Sequence, residues 1–179
     1  MAHIALPHGL PGILGPLRAY PETQKHLNGL AETLLRGPSS LTPAERELIA
    51  TRVSAGNECY FCTSSHAAAA RHLFGPGRQV VDKVLDGVAN AGIDEKLRAL
   101  LEIAEKVRCD GRSVTEADIE RARKAGADDK AIHDTVLIAA AFSMYNRYVD
   151  GLATWAPHDP ETYDAIGARL ASEGYLSSD

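Results

Sequence analysis

Glu47, Cys59, Cys62 and His66 are the residues of this chain whose types and spacing suit chemistry. Cys59-Tyr60-Phe61-Cys62 has the spacing of a dithiol that closes to a disulfide, and His66 follows the second thiol by one helical turn. A helix over 59–73, at about 100° per residue and with Cys62 as origin, places Cys59 near about 60°, His66 near about 40°, Ala69 near about −20° and Leu73 near about 20°. Both thiols and the imidazole then share one apolar stripe, and Arg71 faces away from it. Such a stripe faces the core or a partner, which makes the pair a partly buried dithiol beside a base.

The chemistry follows from the thiolate. It is the nucleophilic form, and a free cysteine with a pKa of about 8.5 is mostly protonated at neutral pH. The first turn of a helix favours negative charge, and His66 can take the Cys62 proton or stabilise the thiolate. The second cysteine can capture the oxidised first one as a disulfide. Cys62 is the expected attacking thiolate because His66 lies one turn beyond it. The reverse assignment stays open, because Cys59 is nearer the helix start. Glu47, on the preceding helix with Thr51 and Ser54 on its face, can orient His66 as a third group often orients a base.

Plainer readings exist for each residue. The cysteines can be two small buried hydrophobes. They can also be zinc ligands with His66, completed by His72, Cys109 or Glu47. His66 can be a core histidine bonded to a backbone carbonyl, and Glu47 a surface carboxylate beside Arg46. Cys109, between Arg108 and Asp110, reads as structural. Asn146, Arg147 and Asp150 suit a helix-end or subunit-interface network. Trp155 and Tyr148 suit the core or an interface.

The pattern of Glu47, eleven residues, Cys59-x-x-Cys62, three residues and His66 resembles the alkyl hydroperoxidase D / carboxymuconolactone decarboxylase superfamily. Leu10-Pro11-Gly12-Ile13, Leu41-Thr42-Pro43-Ala44-Glu45-Arg46-Glu47, and Asn146-Arg147 with Asp150 and Gly151 are similar to its peroxidase-related branch. The resemblance implies an all-α, single-domain helical bundle that assembles as a homo-oligomer, a trimer or a hexamer. It implies reduction of a hydroperoxide through a Cys59/Cys62 dithiol–disulfide cycle assisted by His66 and Glu47. No cofactor or metal is needed; a thioredoxin-like protein or a small dithiol restores the thiols. Members with the Cys-x-x-Cys resemble peroxidases, which sets lactone decarboxylation aside. Alkyl hydroperoxidase D itself carries a relay histidine between its cysteines, where this chain has Tyr60-Phe61. That departure motivates a second function class, a redox sensor or exchange partner whose disulfide switches an interface.

The elements that must position these residues are helical. Four prolines and three glycines before residue 22 break any long helix there. This predicts an extended arm over 1–22, with one short turn at 13–19, before the helical domain of 23–179. A first helix over 22–36 ends at Gly37-Pro38. Thr42-Pro43-Ala44-Glu45 is a capping box with proline at the first helical position, opening a helix to about residue 55. The motif helix over 59–73 follows and stops at Gly75-Pro76. Further helices are expected over 79–90, 94–109 and 115–124, over 128–152 with Asp128 or Asp129 as cap, and over 160–173. Residues 136–142 are apolar on every side, so helix 128–152 is the expected buried centre, packed on the motif helix. The pairs 42–73 and 115–152, each a short helix then a longer apolar one, suggest a weak internal repeat. No stretch alternates with period two, so no strand is expected and the bundle should hold seven or eight helices.

Composition bounds the partners. A chain of 179 residues with 45% hydrophobic and 24% charged residues suits one ordinary globular domain. Net charge −5 without a basic cluster argues against nucleic acid as a partner. No apolar run is long enough to span a membrane, and no signal peptide is evident. Three cysteines do not make a secreted disulfide framework; a reducing cytoplasm is the expected compartment.

Overall fold

The helix start at Thr42-Pro43-Ala44-Glu45 forms as the sequence implies. Thr42 Oγ1 accepts from the Glu45 N–H at 3.2 Å, and the Glu45 carboxylate accepts from the Thr42 N–H at 2.7 Å. The computed structural model describes residues 2–176, and no strand occurs among them. Their α-helices are α1 (Leu14–Ala19), α2 (Pro21–Leu35), α3 (Pro43–Gly56), α4 (Tyr60–Phe74), α5 (Gln79–Asp86), α6 (Glu95–Asp110), α7 (Glu116–Lys124), α8 (Asp129–Gly151) and α9 (Pro160–Glu173). The all-α expectation holds. The described residues carry nine α-helices where the sequence suggests seven or eight, because the turn expected at 13–19 closes as α1.

The caps explain the boundaries. Asp94 accepts from the Leu97 N–H at 2.7 Å, and Asp128 from the Ala131 N–H at 2.7 Å, so Asp128 is the cap of α8. The helix expected over 79–90 is cut short. It ends at Asp86 with Gly87 as its C-cap, and a separate 3₁₀ turn, Val88–Asn90, follows. Glycine is the weakest ordinary helix former, and here it wins over the apolar pattern.

The motif helix packs most extensively on α3 and α9. Ala67, Ala68, Ala69 and Ala70 are all buried, and Gly167 of α9 crosses them. A Cβ at Gly167 would lie 2.5 Å from that of Ala68, so only glycine permits this approach of the two helices. Leu48, Ile49 and Val53 of α3, Leu100 and Leu101 of α6 and Ile138 of α8 fill the main core, each fully buried. Burial of each such side chain stabilises the fold by about 1.5–3 kcal/mol.

Three expectations about helix packing change. Helix α8 packs mainly on α6 and α3, and reaches α4 through single side chains such as Phe142 and Val149. It is also not buried all round, because Leu137 and Met144 are 38% and 44% exposed on one face. The internal repeat does not extend to packing: α3 lies along α4, whereas α7 packs on α6. Trp155 is 56% exposed and so is no core residue, and Cys109 is exposed at the end of α6.

The chain before α1 runs without helix along the segment that follows α8. The His3 N–H donates to the Leu152 carbonyl at 2.9 Å, and the Gly12 N–H to the Trp155 carbonyl at 2.7 Å. No helix among the described residues is long and apolar enough to cross a membrane.

Candidate active site

A tight turn between α3 and α4 presents the dithiol. Glu58 takes a left-handed conformation, φ 61°, and the Cys59 N–H then returns to the Ser54 carbonyl at 3.1 Å. Buried Asn146 of α8 pins both sides of that turn, donating to Ser54 Oγ at 3.0 Å and accepting from the Asn57 amide at 2.8 Å. Cys59 is the N-cap of α4 and Cys62 lies in its first turn, one residue from the start expected for this helix.

The two sulfurs are 2.8 Å apart, with Cys59 donating to Cys62. A disulfide bond measures about 2.05 Å, so both cysteines are free thiols in position to close one. They are buried with Phe61, Ala68, Val149 and Tyr163. The hydrogen bond to Cys62, burial and the neighbouring sulfur charge all push the Cys59 thiol far up. Cys59 therefore keeps its proton and offers it to Cys62.

Asp150, at the end of α8 as the sequence suggests, lies near enough to the Cys59 thiol for its charge to add to what pushes that thiol up. Partial desolvation pushes its own carboxyl up. Arg147, its neighbour in the expected helix-end network, donates to the Ser143 carbonyl at the surface.

Glu47 and His66 form the second pair. Glu47 Oε2 lies 2.8 Å from His66 Nδ1, and the Glu47 side chain is fully buried. This excludes the surface reading of Glu47, and His66 bonds a carboxylate where a backbone carbonyl was the plainer reading. Glu47 Oε1 accepts from Arg36 Nη2 at 2.6 Å and from the Tyr175 hydroxyl at 2.6 Å. Burial alone would push the Glu47 carboxyl up. The His66 charge and hydrogen bond, with Arg36 and Tyr175, more than offset it and hold the group below its ordinary value. Burial and the adjacent Glu47 charge push the Tyr175 hydroxyl well up, so it stays a donor.

The His66 ring is fixed on three sides. It meets Phe142 edge-on with centroids 4.6 Å apart, stacks on Tyr175 at 6.1 Å, and is held by Glu47 through Nδ1. Its Nε2 is the nitrogen left for proton exchange. Arg36 lies over the other part of this wall, 5.2 Å from the Tyr175 ring centre.

The structure thus brings Glu47 to His66 and Cys59 to Cys62. No hydrogen bond joins the two pairs among the described residues, although Cys62 and His66 are neighbours by their one-turn spacing on α4. Among the described residues no three His, Cys, Asp or Glu side chains converge to hold a metal ion, so the zinc reading lacks its ligand set. Sequence reasoning missed the contacts of Arg36, Tyr175 and Asp150. Arg36 adjoins the helix stop at Gly37-Pro38 and Asp150 follows Asn146-Arg147, whereas Tyr175 has no local signal.

Tyr60 and Phe61 take different paths in the place where the relay histidine would stand. Tyr60 is 48% exposed and packs on His158 with centroids 5.3 Å apart. Phe61 is buried against the thiols and under the arm. Gly12, at φ 54°, sits so close that a Cβ there would lie 2.1 Å from the Phe61 ring. Its positive φ and this contact both demand glycine.

The sequence profile of the Carboxymuconolactone decarboxylase family matches residues 21–106. No match was found among curated proteins. Solved structures are similar along most of the chain. One is an alkylhydroperoxidase AhpD core, an uncharacterized peroxidase-related protein from Ralstonia eutropha JMP134; it is 29% identical over 88% of this chain and 81% of its own, with a TM-score of 0.78. Another is an uncharacterized peroxidase-related protein from Silicibacter sp. TM1040, 30% identical over 84% of this chain and 78% of its own, with a TM-score of 0.74. A third, from Agrobacterium tumefaciens, is a protein of unknown function described as a putative antioxidant defence protein AhpD. It is 23% identical over 83% of this chain and 99% of its own, with a TM-score of 0.70, and speaks to the fold alone. With the helical fold, the dithiol hairpin and these relatives in place, the chain belongs to the carboxymuconolactone decarboxylase/AhpD-like superfamily.

Proposed function

We propose that the protein is a thiol-dependent peroxidase that reduces organic hydroperoxides through a Cys59/Cys62 dithiol–disulfide cycle. The observation that carries this reading is the buried dithiol, sulfurs 2.8 Å apart, one helical turn from an imidazole held by a buried carboxylate. The Cys62 thiolate attacks the terminal oxygen of the hydroperoxide, the O–O bond breaks, and Cys62 becomes a sulfenic acid. The departing alkoxide takes a proton from the His66 imidazolium, whose charge Glu47 stabilises, and leaves as an alcohol. Cys59 then attacks the Cys62 sulfur; a disulfide forms and water departs. Asp150, close to the Cys59 thiol, is placed to take its proton as the disulfide closes. An external dithiol, a thioredoxin-like protein or a small molecule, reduces the disulfide and is itself oxidised.

The cycle needs a reducing compartment such as the cytoplasm, and no resident cofactor. The same reading takes the protein as a homo-oligomer, a trimer or a hexamer; the exposed apolar face of α8 at Leu137 and Met144 supports burial against another copy.

The test is thiolate absorbance against pH for the reduced protein and for Cys62→Ser, followed by cumene hydroperoxide. The expected result is a thiolate absorbance that the substitution removes, loss of two thiols per chain, and sustained turnover with excess dithiothreitol. Full activity in Cys62→Ser overturns the assignment. A single oxidation without turnover identifies a redox sensor instead.

A further inference from the structure

A cavity of about 430 Å³ opens beside His66. Small-molecule sites span about 300–1,000 Å³. Its apolar wall comes from Leu14 and Leu17 of α1, Ile166 and Leu170 of α9 and Phe61 of α4, with Gln24 and Asn28 of α2 on a polar side. Phe61, Ile13 and Ile166 line this cavity and also pack against the dithiol cluster, so one layer of side chains separates the cavity from the sulfurs.

Two features make it more than a gap between helices. Ser65 lines it and is 3% exposed, yet its buried Oγ has no hydrogen-bond partner. A buried hydroxyl left unsatisfied is unfavourable, and a ligand oxygen would satisfy it. The second feature is charge. Arg169 lines the cavity and, among the described residues, no Asp or Glu does, in a chain of net charge −5. The nearby Glu47 carboxylate is already engaged by Arg36, His66 and Tyr175. The cavity therefore suits an anion with an apolar body.

We propose that this cavity binds an amphipathic monocarboxylate, its apolar body between α1 and α9, its carboxylate on the arginine side and a further oxygen on the Ser65 hydroxyl. Resting on the peroxidase reading, this names the substrate class as an organic hydroperoxide that carries an acidic head. The peroxide end lies toward His66 and Phe61, and Phe61 must yield for it to meet Cys62. In that step the O–O bond breaks as before, sulfur gains the terminal oxygen, and the alkoxide gains its proton from His66.

The test is calorimetric titration of the reduced, full-length protein with octanoate and with 1-octanol. Octanoate should bind about tenfold tighter, one charge-assisted contact converted to affinity, and lose that advantage at high salt. Arg169→Gln should erase the difference while octanol binding persists. Leu14→Trp, which fills the cavity, should abolish both at an unchanged melting temperature. Equal affinity for octanoate and octanol overturns the acidic head, and binding of neither overturns the site. Cumene hydroperoxide turnover separates this inference from the reading it rests on. Turnover in a protein that binds no octanoate sinks the cavity proposal and leaves the peroxidase. Octanoate binding without any peroxide consumption keeps the carboxylate site and removes the peroxidase.

Discussion

Glu47 and Asp134 are both buried carboxylates that hold an imidazole, yet they sit in regions of opposite character. Asp134 of α8 is 4% exposed and binds His133 at 3.0 Å, Lys130 at 2.5 Å and the Ser39 hydroxyl at 2.6 Å. Its cations are open to water, with His133 63% and Lys130 51% exposed. Glu47 is fully buried, and its partners are buried as well, with His66 at 13% and Arg36 at 12% exposure. The acid–imidazole contact alone therefore says little. What distinguishes Glu47 is that its histidine is enclosed, ring-locked, and one turn from a dithiol. Asp134 ties the segment before α3 to α8, which is a structural task.

The largest expected effect tests that distinction directly. Glu47→Gln should lower hydroperoxide turnover by about 10²–10³-fold, in the lower part of the range for a positioned acid–base group. Asp134→Asn should leave it within about twofold on the same scale. Initial rates with cumene hydroperoxide and excess dithiothreitol decide it; equal losses in both variants would erase the contrast.

A smaller effect sharpens the dithiol side. Asp150→Asn should slow closure of the disulfide by about tenfold, less than a full general-base effect, while the first oxidation of Cys62 keeps its rate. Stopped-flow fluorescence with a sulfenic-acid trap separates the two steps. Slowing of the first step instead would place Asp150 with the attacking thiol.

The pH dependence of stability tests the shared feature. Both carboxyls are held below their ordinary values, Glu47 by His66 and Arg36 against burial, Asp134 by Lys130 and Ser39 against burial. A depressed folded pKa means the ionised form stabilises the fold above the unfolded value, and that stability is lost as pH falls through the folded one. Unfolding free energy should thus decline below pH 4.5 through Glu47 and below pH 3.8 through Asp134. Urea titrations across that range should show a flatter decline in Glu47→Gln and in Asp134→Asn. An unchanged slope in either would mean its carboxyl titrates normally in the fold.

The smallest effects concern the structural pair. Asp134→Asn should cost about 1–3 kcal/mol, the loss of hydrogen bonds at a buried acceptor. His133→Gln should stay within about 0.5 kcal/mol, as exposed substitutions do. A larger loss for His133 than for Asp134 in urea unfolding would make the imidazole, and not the carboxylate, the anchor of that region.

Much of this site is legible in the sequence because it is local. Cys59, Cys62 and His66 lie on one helix, where spacing alone sets which side chains face together, and the Thr42–Glu45 box fixes the register of Glu47. Arg36 and Tyr175 are not legible. Their contacts with Glu47 span 11 and 128 residues of chain, and no periodicity encodes such a meeting. Asp150 stands in a recognisable motif, but the Cys59 thiol on which its charge acts lies on another element. The burial of α8 eludes the sequence for a related reason: an apolar stretch records what can be covered, and Leu137 and Met144 show that one chain leaves part of it open. The helix expected over 79–90 fails at Gly87, where backbone propensity outweighs apolar pattern.

Tyr175 closes the wall of His66 from 109 residues further along the chain. On a translating ribosome, elongating at roughly 5–20 residues per second, His66 emerges roughly 5–20 s before the tyrosine that covers it. For that interval Glu47 and His66 can pair while still open to solvent on the Tyr175 side. The His66 imidazole of a nascent chain thus stays open on one side until Tyr175 arrives.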